Sequence, residues 1–309
     1  MKVLVTGGAG FIGSNLVDKL VNLSHEVVVL DNCSTGLLSN LKKVKNKIKF
    51  VNIDITTSDK NLENYFNKVD WVFHLAGLAD IVPSIINPTE YFSTNVLGTL
   101  NVLEASKNAD IKKFIYAASA SCYGIPKKYP TDEKSEIDTK YPYALTKFLG
   151  EQLVLHWGKV YDQPNISLRF FNTYGPNMDV DDGRVISNFI IQALKGESLT
   201  IYGDGQQTRC FCYINDLIEG MLDFMNTDKS FIGPMNVGND EEETMLSIAE
   251  KIINLAKSKS KIIFLDPVED DPRQRKPDLS LAKKKINWNP KVPLEAGLLR
   301  TIEYFKSVI

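Results

Sequence analysis

Short apolar runs alternate with amphipathic stretches through the first half of the chain, and this order restricts the fold more than any other feature. KVLVTG is followed by FIGSNLVDKLVNL, and EVVVLDN, WVFHLAG, KFIYAAS and ISLRFFNTYG come later, most of them separated by helix-like stretches. Strands that alternate with helices predict a parallel sheet covered on both faces. We therefore predict an α/β fold, with a doubly wound parallel sheet and a smaller C-terminal α/β lobe.

The pattern changes after residue 171. NTYGPNMDVDDGR is rich in turn formers and acids, and shorter elements continue to the breaker-rich stretch DPVEDDPRQRKPD at 266–278. A chain of 309 residues exceeds the roughly 100 to 200 residues of one typical domain. We predict a cofactor-binding lobe over 1–171, joined by part of 210–235, and a lobe over 172–309 that mainly binds substrate.

Charge and composition favour a small-molecule partner. The formal net charge is −2, and Lys and Arg are interspersed with Asp and Glu, so we expect no nucleic-acid partner. The apolar runs are far shorter than the roughly 20 residues that span a bilayer, so we expect no membrane partner and a cytoplasmic location. The 4 cysteines have no CxxC spacing and the 3 histidines lie outside any ligand cluster, so we expect no metal.

The stretch TGGAGFIGS follows the first strand and opens the first helix. Gly7, Gly10 and Gly13 allow the backbone to approach a diphosphate at the helix N-terminus, although glycines alone also suit a plain tight turn. Asp31 ends the second strand, where a carboxylate accepts hydrogen bonds from the adenosine ribose and repels a 2′-phosphate. Together these features predict NAD on a Rossmann sheet.

Further cofactor contacts are expected where the strands end. Asp54 follows KFVNI, and both an adenine contact and a loop cap remain open for it. The predicted cofactor-binding residues are Gly7, Gly10, Phe11, Ile12, Gly13, Asp31, Asn32, Asp54, Ile55, Leu75, Ala76, Gly77, Asn95, Tyr143 and Lys147.

The stretch YPYALTK places Tyr143 and Lys147 one helical turn apart on the same face. A free tyrosine has a pKa near 10, but a neighbouring ammonium and a positive nicotinamide ring favour the phenolate, which then takes a hydroxyl proton. In YAASASCYG, Ser119 and Ser121 stand where a strand ends and a substrate oxygen can be met, although either can instead cap the strand. We predict Ser119, Tyr143 and Lys147 as the catalytic residues of an enzyme.

The glycine loop, Asp31, Ser119, Tyr143 and Lys147, in this order, resemble the extended short-chain dehydrogenase/reductase family. The resemblance covers nearly the whole chain and includes HLAG at 74–77, TNVLGTLNVLEA at 94–105, RFFNTYGP at 169–176, IYGDGQQTR at 201–209 and DDPRQRKPD at 270–278. It implies an NAD-dependent enzyme whose partner is a nucleotide-diphosphate sugar, UDP-linked, and a homodimer formed through helices near 90–108 and 143–161.

The resemblance also implies the substrate contacts. Asn172 resembles the residue that touches the diphosphate, Arg209 and Arg275 the arginines that clamp it, and 199–202 the segment along the base. Surface ion pairs for the arginines and a core position for Leu199 remain open. The predicted substrate-binding residues are Ser84, Ser119, Ser121, Asn172, Leu199, Tyr202, Arg209 and Arg275.

The two halves of the chain resemble different members of the family. The C-terminal half is similar to UDP-glucuronate decarboxylases, but Ser121 stands where that group has a glutamate, and AASASCYG with PYALTK resembles sugar 4-epimerases. The interpretation put first is an NAD-dependent epimerase that inverts C4 of UDP-N-acetylglucosamine, UDP-glucose or UDP-glucuronate through a 4-keto intermediate. The alternatives are a UDP-glucuronate decarboxylase and a non-catalytic dinucleotide-binding protein.

Overall fold

The computed structural model describes residues 1–57, 62–225, 227–228, 231–267 and 271–309, so 268–270 of the breaker-rich stretch lie outside the described residues. The chain divides into two compact units. The first comprises 1–124, 136–170 and 221–236, and the second comprises 125–135, 171–220 and 237–309. The division after Phe170 lies next to the predicted lobe boundary, and the second unit also takes 125–135. The assignment of cofactor and substrate to the two lobes stays a prediction.

The strands, in chain order, are β1 Lys2–Thr6, β2 Glu26–Asp31, β3 Ile48–Asn52, β4 Trp71–His74, β5 Lys113–Ser119, β6 Asn165–Phe170, β7 Thr173–Tyr174, β8 Leu199–Tyr202, β9 Thr208–Cys210, β10 Cys212–Tyr213, β11 Met235–Val237, β12 Glu242–Thr244, β13 Ile262–Leu265 and β14 Gln274–Arg275. The helices are α1 Phe11–Asn22, α2 Ile81–Ile86, α3 Pro88–Phe92, α4 Thr99–Ser106, α5 Pro142–Val160, α6 Val185–Lys195, α7 Ile214–Phe224, α8 Met245–Ala256, α9 Ser280–Ile286 and α10 Leu294–Val308. A π-helical segment, Ser93–Gly98, joins α3 to α4.

The first unit is built on a seven-stranded sheet in the order β11-β6-β5-β4-β1-β2-β3. The registers of β1 with β2 and β4, of β2 with β3, and of β5 with β4 and β6 are all parallel. Strands buried on both faces are continuously apolar, as in the buried VVVL of β2. The predicted doubly wound α/β fold is confirmed.

The order of the strands determines where a ligand can bind. β1 lies between β2 and β4, so the connections leave β1 in opposite directions along the sheet. Ligands of such sheets bind beyond the carboxyl ends of the strands at this reversal. The glycine loop, Asp31, the 75–77 loop and Ser119 all follow or end strands at this edge.

The second unit contains three small sheets and the helices around them. β7 pairs with β10, β8 pairs with β13, and β9 lies between β12 and β14. Between 199 and 213 the chain forms three short strands, β8, β9 and β10, and Phe211 separates β9 from β10, which lie in different sheets. No helix among the described residues combines the length and the apolar character needed to cross a bilayer.

Candidate active site

The glycine loop between β1 and α1 has no room for side chains at two of its glycines. A Cβ on Gly13 would lie 2.1 Å from the carbonyl oxygen of Gly7, and Gly7 itself has a φ of +69°. The helix begins at Phe11 after Gly10, with no side-chain cap and no acidic residue in its first turn. The N-terminus of α1 therefore has no carboxylate of its own that would repel an anion.

Asp31 is fixed by two backbone amides at the end of β2. Its Oδ2 accepts a hydrogen bond from the Ala9 N–H at 2.8 Å, and its Oδ1 accepts one from the Cys33 N–H at 2.8 Å. A carboxylate oxygen has a second lone pair, so both oxygens keep an acceptor site. The carboxylate is thus oriented for the hydroxyl groups of a ribose.

Asp54 acts as a loop cap after β3. Its Oδ1 accepts a hydrogen bond from the Thr56 N–H at 2.8 Å, and its Oδ2 accepts one from Asn32 Nδ2 at 3.1 Å. Partial burial raises the pKa of Asp54, but these hydrogen bonds outweigh it and hold the pKa below its usual value. The neighbouring Ile55 is buried. Contacts of Asn32, Asp54 and Ile55 with adenine stay predictions.

The loop after β4 is held against the glycine loop. A Cβ on Gly7 would lie 2.6 Å from the Ala76 nitrogen, so these two loops touch. The buried Asn95 accepts a hydrogen bond from the Leu78 N–H at 2.8 Å and donates from Nδ2 to the Leu78 oxygen at 3.0 Å. These bonds make Asn95 a support for the loop that contains Gly77, and its predicted contact with the cofactor stays a prediction.

Ser119 and Tyr143 meet where β5 ends. The Tyr143 hydroxyl donates to Ser119 Oγ at 3.2 Å, and the Ser121 N–H donates to the same oxygen at 3.1 Å. No described residue accepts the hydroxyl proton of Ser119, which leaves it for a substrate oxygen. The Oγ of Ser121 is buried and has no hydrogen-bond partner among the described residues.

Lys147 follows Tyr143 by one turn of α5 and is 7% exposed. Burial lowers the pKa of its ammonium to about 7, and the nearby charge of Glu151 only partly opposes this effect. A Cβ on Gly77 would lie 3.6 Å from Lys147 Nζ. The structure therefore brings Lys147 next to the 75–77 loop and, through that loop, next to the glycine loop.

These residues fit NAD. The glycine loop has the close approach that a diphosphate needs, the first turn of α1 lacks a competing carboxylate, and Asp31 is oriented as an acceptor. Lys147 lies beside Gly77, in the loop that touches the glycine loop, and its ammonium protons can donate hydrogen bonds there.

In the second unit, Arg209 and Arg275 are direct partners in the parallel register of β9 and β14. Arg209 forms an ion pair with Asp271 and donates to the Thr208 oxygen at 2.7 Å. Asn172 donates from Nδ2 to the Cys210 oxygen at 3.4 Å, beside the same strand. The predicted arginine pair thus lies side by side, as two ligands of one diphosphate must.

A pocket of about 710 Å³ lies in the same unit. Tyr202 lines it and is 48% exposed, whereas Leu199 at the start of the same strand is fully buried, as a core residue is. Gln207, Asp271 and Arg273 add polar groups to its wall. Of the two residues predicted along a base, the structure gives only Tyr202 a side chain that faces a cavity.

The sequence pattern of the NAD dependent epimerase/dehydratase family matches residues 3–238. The chain belongs to this family. The match confirms the resemblance stated from the motifs, and it confirms NAD as the cofactor of an NAD-dependent enzyme.

The similar proteins fall into two groups, UDP-glucuronic acid decarboxylases and UDP-sugar 4-epimerases. UDP-glucuronic acid decarboxylase 6 of Arabidopsis thaliana is 42% identical over 99% of this chain and 89% of that protein. UDP-glucose 4-epimerase of Thermotoga maritima, solved with UDP-glucose, is 32% identical with a TM-score of 0.93 and covers 100% of this chain and 99% of that one. UDP-glucuronic acid 4-epimerase of Bacillus cereus, solved with UDP-glucuronic acid and NAD, is 32% identical with a TM-score of 0.90 over 100% of both chains.

Ser84 has the environment of a structural residue of α2 rather than that of an exposed ligand contact. Its side chain is fully buried in α2 and donates from Oγ to the Ile81 oxygen at 2.6 Å. Its predicted sugar contact stays a prediction, as do the cofactor contacts of Phe11, Ile12 and Leu75. Within the described ranges, no three His, Cys, Asp or Glu side chains are grouped as a metal site requires.

Two groups of residues were missed from the sequence. Gln207, Asp271 and Arg273 line the pocket of the second unit, but a polar residue in a turn gives no signal of this kind. His74 and Tyr116 lie behind Lys147 on β4 and β5, where the pattern predicts only core. The histidine in HLAG was the one available signal, because a buried histidine must find hydrogen-bond partners.

Proposed function

We propose that this chain oxidises the C4 hydroxyl of UDP-glucuronate and that carbon dioxide then leaves from the resulting keto acid. The contact between Tyr143 Oη and Ser119 Oγ at 3.2 Å, with Lys147 one helical turn away, carries the oxidation step. This arrangement suits removal of a proton from a secondary alcohol. A protein that only binds a dinucleotide would have no evident use for these three side chains.

Each of the three residues has a distinct role in this step. Tyr143 takes the proton of the C4 hydroxyl, and the Lys147 ammonium favours the phenolate that accepts it. Ser119 donates its uncommitted proton to the C4 oxygen and steadies the charge that develops there. NAD, when bound, accepts the hydride from C4 and later returns it, so the overall conversion needs no external oxidant.

The comparisons support UDP-glucuronate as the substrate. The Arabidopsis relative is a decarboxylase named for UDP-glucuronic acid, and the Bacillus structure binds UDP-glucuronic acid. In this chain, the neighbouring Arg209 and Arg275 suit the two phosphates of a nucleotide diphosphate, since guanidinium groups bind phosphate oxygens in pairs.

Loss of carbon dioxide follows from the chemistry of the oxidised sugar. A ketone at C4 and a carboxylate on C5 make a β-keto acid. The bond between C5 and C6 breaks, its electron pair moves to the C4 carbonyl oxygen, and a proton then adds at C5. Bond cleavage itself needs no side-chain carboxylate. The identity of 42% to a decarboxylase, against 32% to the epimerase structures, supports this alternative over the epimerase put first from the sequence.

C4 epimerisation is the second candidate, and Ser121 favours it. A serine replaces the glutamate that the resemblance leads us to expect in decarboxylases, and its buried Oγ has no partner among the described residues. A hydroxyl does not supply the acid or base that a carboxylate supplies at neutral pH. In this candidate the keto sugar keeps its carboxylate and receives the hydride on its opposite face.

The experiment compares UDP-glucuronate, UDP-glucose and UDP-N-acetylglucosamine, with products identified by NMR. The proposal expects a UDP-pentose and carbon dioxide from UDP-glucuronate alone. Tyr143→Phe should lower kcat by about a thousandfold. Tyr141→Phe is the matched control, because Tyr141 precedes α5 but stands six residues from Lys147, and it should retain turnover.

The outcomes separate the candidates. A C4 epimer with an intact carboxylate would establish the second candidate, and Ser121→Glu should then divert product towards the UDP-pentose. Failure of all three sugars to react, with NAD bound, would remove both.

A further inference from the structure

Tyr116 lies beneath the ammonium of Lys147. It sits in β5 with 1% of its surface exposed, and Lys147 Nζ lies 4.5 Å from the centre of its ring. A Cβ on Gly150 would lie 2.2 Å from the Tyr116 hydroxyl, so α5 crosses directly over the ring. The phenol ring thus packs against the helix turn that carries Lys147.

The described residues offer Lys147 Nζ neither a hydrogen bond nor an ion pair. Glu151, one turn further along α5, is the nearest candidate, but it is committed to Arg169 on β6. Its Oε2 accepts from Arg169 Nε at 3.0 Å and from Ser167 Oγ at 2.9 Å, and its Oε1 accepts from Arg169 Nη2 at 2.6 Å. The ring face of Tyr116, 4.5 Å from Nζ, is therefore in place to stabilise this buried cation.

The ring also packs against His74 on the neighbouring strand β4. The two residues are register partners, and their ring centres are 5.6 Å apart. Thr99 donates its only hydroxyl proton to the Asn95 oxygen at 2.7 Å, so it accepts from His74 Nε2 at 3.0 Å. Burial favours the neutral imidazole, which with its proton on Nε2 accepts at Nδ1 from Thr6 Oγ1 at 2.7 Å.

A neutral imidazole matters because a second cation here would oppose Lys147. Burial, together with the charge of Lys147, lowers the pKa of His74 to about 3. Burial, with the charges of Tyr143 and Glu151, raises the pKa of Tyr116 well above its usual value, so this phenol stays neutral. The groups that face Lys147 are thus a neutral ring, a neutral imidazole, Tyr143 and a carboxylate already paired with Arg169.

We propose that Tyr116 is a positioning residue whose ring face seats the Lys147 ammonium one helical turn from Tyr143. The seat favours the charged form of Lys147 in a buried place where the described residues offer it no ion pair. Its consequence for turnover rests on the proposed function, in which Lys147 favours the Tyr143 phenolate. The seat itself is tested without turnover.

The first experiment follows the titration of Lys147 in protein with 13C-labelled lysine by NMR, assigned with Lys147→Met. Tyr116→Phe keeps the ring and should leave the midpoint near that of the wild type. Tyr116→Leu removes the ring face and should move the midpoint down by about one pH unit. Phe114→Leu is the matched control, since Phe114 is a fully buried aromatic two residues earlier in β5, and it should not move the midpoint.

A second substitution keeps the test decisive if the leucine variant does not fold. Pentafluorophenylalanine at position 116 preserves the ring but removes the negative charge of its face, so the midpoint should fall as it does in Tyr116→Leu. The proposed role of Tyr116 is overturned if the Lys147 midpoint is unchanged in the fluorinated protein, or if it falls by the same amount in Phe114→Leu.

The second readout is the pH profile of turnover. Because the ammonium is lost as pH rises, Tyr116→Leu should lose kcat at a lower pH than the wild type, while Phe114→Leu keeps the wild-type profile. If the Lys147 midpoint falls in Tyr116→Leu but the pH profile of kcat does not change, the seat is supported and the role of Lys147 in proton transfer is contradicted.

Discussion

Gly13 shows how one missing side chain permits the tight loop between β1 and α1. A Cβ at this position would lie 2.1 Å from the Gly7 oxygen, which cannot be accommodated without moving the backbone of the loop that we predict to bind the diphosphate. Asp31 is fixed by two amides after the next strand, and its contact with the adenosine ribose is a prediction for the same site.

Gly13→Ala should therefore reduce NAD retention strongly. We expect a loss of at least about tenfold in affinity, measured by calorimetry on protein freed of nucleotide. Gly10→Ala is the comparison in the same loop, and its loss should be smaller, because its Cβ would meet the Gly7 oxygen at 3.3 Å, a contact that a small shift relieves. Equal losses in both variants would contradict the steric argument.

Lys147 should lower the stability of the protein at neutral pH. The pKa of its ammonium falls from 10.5 to about 7 on folding, so between these values the unfolded chain binds more protons and stability rises with pH. Below about pH 7 the burial penalty is fully present. Lys147→Met should raise the free energy of unfolding by about 2 kcal/mol at pH 6 to 7, and the gain should shrink towards pH 10.

Chemical denaturation across this pH range measures the effect. Lys159→Met, an exposed position on the same helix, should change stability by less than about 0.5 kcal/mol at every pH. A gain in Lys147→Met that does not depend on pH would show that burial of the charge is not its cause.

His74 connects three secondary-structure elements, β1, β4 and α4. Its ring bonds to Thr6 on β1 and Thr99 on α4 from its own place on β4. Helix α5 likewise brings Tyr143, Lys147 and Glu151 onto one face at spacings of four. These connections hold the strand ends together with the turn of α5 that carries Tyr143 and Lys147.

The neutral His74 predicts acid sensitivity. Its pKa in the fold is about 3 against 6.5 in a free chain, so the unfolded state takes up a proton that the folded state does not as pH falls below 6.5. Between pH 6.5 and 4.5 the wild type should lose about 1 to 2 kcal/mol more than His74→Gln, whereas the exposed His156→Gln should match the wild type. Urea denaturation at several pH values measures both, and parallel curves for the wild type and His74→Gln would contradict a neutral buried ring.

Local patterns account for much of this arrangement. The alternation of strands and helices predicts the sheet of the first unit, and the spacing of Tyr143 and Lys147 predicts their shared face, because both follow from periodicity. The pairing of Arg209 with Arg275 joins strands 66 residues apart, and the seat under Lys147 joins β4, β5 and α5. Such contacts depend on register between distant segments, which a local pattern does not contain.

At the scale of the whole molecule, the homodimer remains a prediction. Several apolar side chains of the first unit are exposed on the helices expected to form it, among them Phe92 at 39%, Leu97 at 45% and Val160 at 55%. Burial of such side chains stabilises association. Sedimentation should show a dimer for the wild type and a monomer, or weaker dimer, for Leu97→Asp. Leu23→Asp, an equally exposed leucine at 49% after α1, should stay dimeric, and a monomeric wild type would contradict the prediction.

In the proposed reaction, UDP-glucuronate is oxidised at C4 and then loses carbon dioxide. To test it, the purified protein is incubated with UDP-glucuronate in deuterated water, and the substrate and its products are followed by NMR. We expect a UDP-pentose carrying one deuteron at C5, release of carbon dioxide, and no net consumption of NAD. Unchanged UDP-glucuronate, a C4 epimer that keeps its carboxylate, or equal turnover in Tyr143→Phe would contradict it.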